Sequence, residues 1–180
     1  MKKFLWLSIA IVISSFIPAQ QNLKIKNADL GLGGFSVLLK NSNEKESGGL
    51  QFSINTDFAL GKNLFSVNYM KGGGVGSGYA AIGGDFSFDK IDVLYGRAIS
   101  ITKWMDLEGF AGLGYYAQNS NLYLTDNPIN KSAINFPVKL SLVLFPKNRI
   151  DLGLSAGYNA NSLNDTFTGS LYIRYNFMKQ

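Results

Sequence analysis

Residues 166–177 read TFTGSLYIRYNF. Phe167, Leu171, Ile173, Tyr175 and Phe177 alternate with Thr168, Ser170, Tyr172, Arg174 and Asn176, and Gly169 is the one gap on the apolar side. A period of two belongs to a β-strand with one apolar and one polar face. In a strand that crosses a membrane, the apolar face meets lipid and the polar face lines a lumen. This stretch therefore decides how every other segment is understood.

Seven earlier segments have strand character: residues 30–40, 49–60, 64–71, 86–101, 105–117, 133–145 and 149–160. In the second, Phe52, Ile54, Phe58 and Leu60 share a face; in the third, Phe65, Val67 and Tyr69. In the seventh, Ile150, Leu152, Leu154, Ala156 and Tyr158 alternate with Asp151, Gly153, Ser155, Gly157 and Asn159. The fourth carries the row Ile91, Val93, Tyr95, Ile99, interrupted by Arg97, and its facing is ambiguous. Eight strands is an even number, as closure of an antiparallel up-and-down barrel requires. Connections run long, short, long, short, long, short, moderate along the chain, matching short periplasmic turns and longer external loops. The expected fold is all-β: an eight-stranded antiparallel up-and-down transmembrane β-barrel. A soluble sandwich or lipocalin-like barrel is the competitor. It would place charges outward, whereas the faces opposite the apolar rows are mostly Ser, Asn, Gly and Thr.

Composition points the same way. Charged residues are 16% of the 180, against roughly 25% in soluble proteins. Aromatics are 13%, and there are 20 glycines. The net charge of +5 comes from scattered basic residues, without the clustered Lys, Arg and aromatics of a nucleic-acid surface. Cysteine is absent, which excludes disulfides, thiolate metal sites and lipid attachment at a Cys; histidine is also absent. Met1-Lys2-Lys3 followed by FLWLSIAIVISSFI and Pro18-Ala19-Gln20 has the layout of a secretory signal peptide. Its apolar run is too short to span roughly 30 Å of hydrocarbon. Residues 1–19 are expected to be removed, leaving a barrel over residues 20–180.

Turning the apolar rows outward puts Asp57, Glu108, Asp151, Lys139 and Arg174 in the lumen. Counting from the short turns places Asp57, Glu108, Asp151 and Arg174 in the periplasmic third, with Arg97 at similar height. A buried charge network of Arg174, and of Arg97 if it faces inward, with Asp57, Glu108 and Asp151 is expected, because an unpaired buried charge costs several kcal/mol. The alternative is hydration at the rim. Trp104, Tyr175 and Phe177, near a short turn and a strand end, suit the aromatic girdle of a barrel. GGGVGSG at residues 72–78 lacks the Gly-Lys-Ser/Thr ending of a phosphate loop and is expected to be an external loop. Glu44, Glu46, Asp126 and Asp165 do not have calcium-site spacing. Asp106 and Glu108 share a strand face, a geometry open to acid–base work or to a lumen salt bridge. No cofactor or metal is expected.

The alternating segments, the loop alternation and the terminal LYIRYNF resemble the small outer-membrane β-barrels of the OmpA/OmpX type. The PAQQ stretch and Gly-rich strands are similar to Bacteroidota barrels, including the PorT-like group. The resemblance implies residence in outer-membrane lipid and insertion by the barrel-assembly machinery, which reads such a terminal strand. Enzymes of this class that act on lipid A, phospholipids or peptides use a catalytic His, so this chain is expected to be non-enzymatic. Its expected role is structural, or contact with a protein partner through the external loops. Three alternatives stand beside it. One is a narrow channel or carrier for small hydrophobic molecules, for which Gly153 and Gly157 would leave room. Another is an accessory subunit of a secretion or assembly complex, and the third a soluble periplasmic β-protein.

Overall fold

The structure, a computed structural model, describes residues 23–40, 47–74, 86–120, 129–146 and 148–178. Eight strands form one closed barrel, each antiparallel to its neighbours in chain order, with β8 pairing back to β1. They are β1 Lys24–Leu39, β2 Ser47–Leu60, β3 Asn63–Gly74, β4 Phe86–Thr102, β5 Met105–Ser120, β6 Ile129–Leu144, β7 Ile150–Asn161 and β8 Asn164–Asn176. Closure removes both sheet edges, which matters because an open edge has no partner inside a bilayer.

Alternation along each strand sets the two faces. Leu171 and Ile173 of β8 are 67% and 58% exposed, while Tyr172 and Arg174 between them are buried. Leu30 and Leu32, Ile91 and Val93, Leu152 and Leu154 are exposed in the same way around the wall. An outer surface this continuously apolar is rare on a soluble monomer and marks a surface that meets a partner or a membrane. A lipocalin-like arrangement, with apolar rows turned inward, is the reverse of what the chain adopts.

The strands are longer than the periodicity suggests. β1 starts at Lys24, six residues before the expected 30, because a bulge at Lys26 breaks the period of two. β3 runs to Gly74 and so takes up the first glycines of GGGVGSG; the remainder of that motif lies outside the described residues. β5 and β6 extend to Ser120 and from Ile129. The connection after β7, expected to be moderate, is a tight turn through Ser162 and Leu163. At the opposite end Gly61 turns β2 into β3 with a positive φ of 63°. Such a φ favours glycine.

Paired residues followed round the wall from Phe35 return to β1 at Lys24, eleven residues away, one of them the bulge. That stagger tilts the strands by roughly 40° and leaves an interior that side chains can fill.

Candidate functional site

The lumen is the candidate site, and among the described residues Arg174 is its largest fully buried side chain, 2% exposed. Its Nε donates to Asp29 Oδ1 at 2.7 Å, and its Nη2 donates to Asp29 Oδ2 at 3.0 Å, Glu108 Oε2 at 2.8 Å and Asp57 Oδ2 at 3.4 Å. Lys26 Nζ donates to Glu108 Oε1 at 2.9 Å. Asn55 Nδ2 bridges the two aspartates, 2.7 Å from Asp57 Oδ1 and 3.2 Å from Asp29 Oδ2. Four strands thus meet in one knot across the short-turn end of the lumen.

The structure brings Arg174, Asp57 and Glu108 together. It does not bring in Arg97 or Asp151. Arg97 stays in the outward row with Tyr95 and Ile99, so it faces away from the lumen and donates from Nε to Asn63 Oδ1 at 3.3 Å. Asp151 is buried and stands opposite Arg174 in the β7–β8 register. Its Oδ2 accepts from Asn176 Nδ2 at 2.6 Å instead. The reason is direction: the guanidinium reaches toward β1, β2 and β5, where it finds three carboxylates, and turns away from β7. Asp29 and Lys26 complete the knot and were not anticipated from the sequence. Asp29 extends the inward row of Gly31, Gly33 and Phe35 by one step, which is the signal that would have found it.

Above the knot, one hydrogen-bonded row of the wall reads Asp29, Asn55, Asn68, Asp92, Gly114, Asn135, Asn161. The stagger makes this row climb toward the other mouth, so its short amide and carboxylate side chains form a polar ramp inside the barrel. At mid-height Lys90, 4% exposed, pairs with Asp92 at 3.0 Å and donates to Asn159 Oδ1 at 2.7 Å. Asn68 and Asn135 donate to the same Asp92 at 3.3 and 2.8 Å. Gly114 is required here, because a Cβ would collide with the Asp92 carboxylate. A void of about 30 Å³ remains beside Lys90, lined by Ser53, Asn68, Asp92, Ser155 and Ser170 among others. That is room for a water or two.

The upper mouth differs from the expected polar lumen. Phe35, Val37, Met70, Phe86, Phe88 and Tyr116 form a buried apolar cluster, with Leu163 of the β7–β8 turn packed on it. Phe88 stacks on Tyr116 with ring centroids 5.5 Å apart and meets Phe35 edge-on at 4.9 Å. Gly72 makes this packing possible, since the Phe88 ring occupies the place of a Cβ there. The rings fill space that short polar chains would leave to water. The room once expected at Gly153 and Gly157 is also taken, by Tyr172 and Thr168.

Trp104, Tyr175 and Phe177 all lie at the short-turn end. Trp104 and Phe177 are exposed, and Tyr175 meets Phe177 edge-on at 5.2 Å. Among the described residues no group of carboxylates is arranged to hold a metal ion. Glu108 is held in lumen salt bridges by Arg174 and Lys26, and Asp106 takes no part in them.

No known family profile matches the chain, and no curated protein matches it in sequence. Solved structures do. Neisserial surface protein A (NspA) matches over 84% of this chain and 96% of its own, at 13% identity and a TM-score of 0.69. Ail, the attachment invasion locus protein of Yersinia pestis, solved with the heparin analogue sucrose octasulfate, matches over 84% and 99% at 15% identity and 0.58. The N-terminal β-barrel domain of Pseudomonas aeruginosa OprF matches over 87% and 100% at 10% identity and 0.53. At such identities the likeness lies in the fold, and that fold is the small eight-stranded β-barrel of outer-membrane proteins.

Proposed function

We propose that the chain is a non-enzymatic barrel of the outer membrane with a structural role and with protein contacts made through its long connections. The filled lumen carries this reading. Among the described residues, a charge knot fills one end of the lumen and an aromatic cluster the other. The absence of histidine from the sequence supports the non-enzymatic part. The apolar outer face and the likeness to outer-membrane barrels support the location. Three short turns at the Arg174 end support a periplasmic position for that end. Export by a signal peptide over residues 1–19 and insertion by the barrel-assembly machinery belong to the same proposal. The finer likeness to Bacteroidota and PorT-like barrels rests on PAQQ and the Gly-rich strands alone. The long connections over residues 41–46, 75–85 and 121–128 lie outside the described residues.

Two measurements test it. Membrane fractionation with a heat-modifiability gel should recover the chain in the outer membrane as a compact, heat-sensitive band; recovery in the soluble fraction would overturn the location. Planar-bilayer recording should show no stable conductance. A steady open level would favour the channel reading instead.

A further inference from the structure

The short-turn rim of the barrel carries an uncompensated collar of exposed cations. Lys62 and Lys103 sit in the β2–β3 and β4–β5 turns, and Arg149 precedes β7. Arg97 projects from the outer face of β4 opposite Asn63, beside the Lys62 turn. All four side chains are exposed. Among the described residues none of them has a carboxylate within ion-pair distance. The acids of this end, Asp29, Asp57, Asp106, Glu108 and Asp151, stand on lumen-facing rows. The other mouth is different. There the outward cations Lys71 and Lys40 are paired, with Asp89 at 3.4 Å and Asp165 at 2.7 Å.

The collar is also held in position. Arg149 Nε donates to Tyr175 Oη at 2.6 Å, and its guanidinium lies 5.2 Å from the Tyr175 ring centre. Arg97 is held by Asn63. In both cases the bond uses Nε, and the terminal nitrogens have no acceptor among the described residues. A forked, outward-facing guanidinium at the edge of an apolar band fits a phosphate diester. The band itself continues through Ile99, Ile101, Ile150 and Ile173, the surface that meets acyl chains.

We propose that this rim is a docking surface for the headgroups of anionic phospholipids in the leaflet around it. The proposal rests on the membrane reading above. Acyl chains pack on the apolar wall, and the headgroup phosphates occupy the gaps between Arg97, Lys62, Lys103 and Arg149. Each cation at such a surface is worth about fivefold in association, and the effect fades as salt shortens the Debye length.

The test uses the chain purified from membranes and reconstituted into phosphatidylcholine vesicles containing traces of spin-labelled phosphatidylglycerol or spin-labelled phosphatidylcholine. Electron spin resonance counts the label immobilised at the barrel wall. The expected result is a preference for phosphatidylglycerol of about fivefold at low salt, lost in the combined variant Lys62→Gln, Arg97→Gln, Lys103→Gln, Arg149→Gln. The variant Lys40→Gln, Lys71→Gln should keep it. Equal immobilisation of the two labels, or a preference that survives the fourfold variant, overturns the proposal. Equal labels combined with capture of a soluble poly-glutamate by the detergent-solubilised barrel would assign the collar to an acidic protein partner and overturn it too. Failure to float with vesicles at all would overturn the membrane reading itself, and so is distinguishable.

Discussion

Arg174→Met removes the central cation of the lumen while keeping much of the side-chain volume. The wild-type guanidinium bonds Asp29, Asp57 and Glu108 at 2.7 to 3.4 Å. In the variant, Glu108 keeps Lys26 at 2.9 Å. Asp29 and Asp57 keep only neutral amides, Asn55 among them. Removing one partner of a buried ion pair costs about 3–5 kcal/mol. Two carboxylates lose their cation here, so the upper end, about 5 kcal/mol, is expected. With a urea slope of about 1–3 kcal/mol per M, the unfolding midpoint should fall by about 2–5 M. Tryptophan fluorescence in lipid vesicles measures it, alongside the temperature at which the compact gel band is lost. The triple variant Arg174→Met, Asp29→Asn, Asp57→Asn retains the Lys26–Glu108 pair and removes the orphaned charges. It should recover most of the loss, because replacing a whole buried network is often close to neutral. A single variant within about 0.3 M of wild type, or a triple variant no better than the single, would refute the reasoning.

Three further outcomes are expected. Leu171→Arg places a charge on the lipid face near the middle of β8 and should cost about 2–4 kcal/mol in vesicles; a cost near zero would mean that this face is wet. Phe88→Ala opens the aromatic cluster at the upper mouth and should lower stability by about 3–5 kcal/mol in the same unfolding assay. Gly153→Val drives a side chain into Tyr172 and should cost about 1–3 kcal/mol. Tyr172→Ser in the same chain should relieve the part of that cost set by the ring, while the Leu142 carbonyl stays in the way, giving a non-additive pair in a double-mutant cycle.

Much of the wall was legible from the sequence. Strands with clean alternation, such as residues 149–160 and 166–177, were located within a few residues, because the period of two is a local property of the backbone. β1 was cut short where its sequence, KIKNAD, alternates poorly and bulges at Lys26. Arg97 was ambiguous because one charge in an apolar row conflicts with that row. The structure keeps the row outward and lets the long side chain reach the rim. The aromatic cluster escaped notice because Phe35, Phe86 and Phe88 lie on rows that also carry Gly, Lys and Asp, and because only neighbours such as Gly72 give those rings room.

The charge knot divides the two sources of information most clearly. Facing is settled along one strand, so Asp57, Glu108 and Arg174 could be placed in the lumen from alternation alone. Partnership is settled across strands. Arg174 and Asp29 are 145 residues apart in the chain, and they meet because β8 closes on β1 in one register. Asp151, equally buried and directly opposite Arg174, is left to Asn176 because the guanidinium points the other way. Alternation along the chain reveals eight strands and the faces of all but the one that carries Arg97, and composition the absence of histidine and cysteine chemistry. Only the closed barrel, through its stagger and the direction of each side chain across the lumen, decided which charges are joined and which cations stay on the rim without a partner.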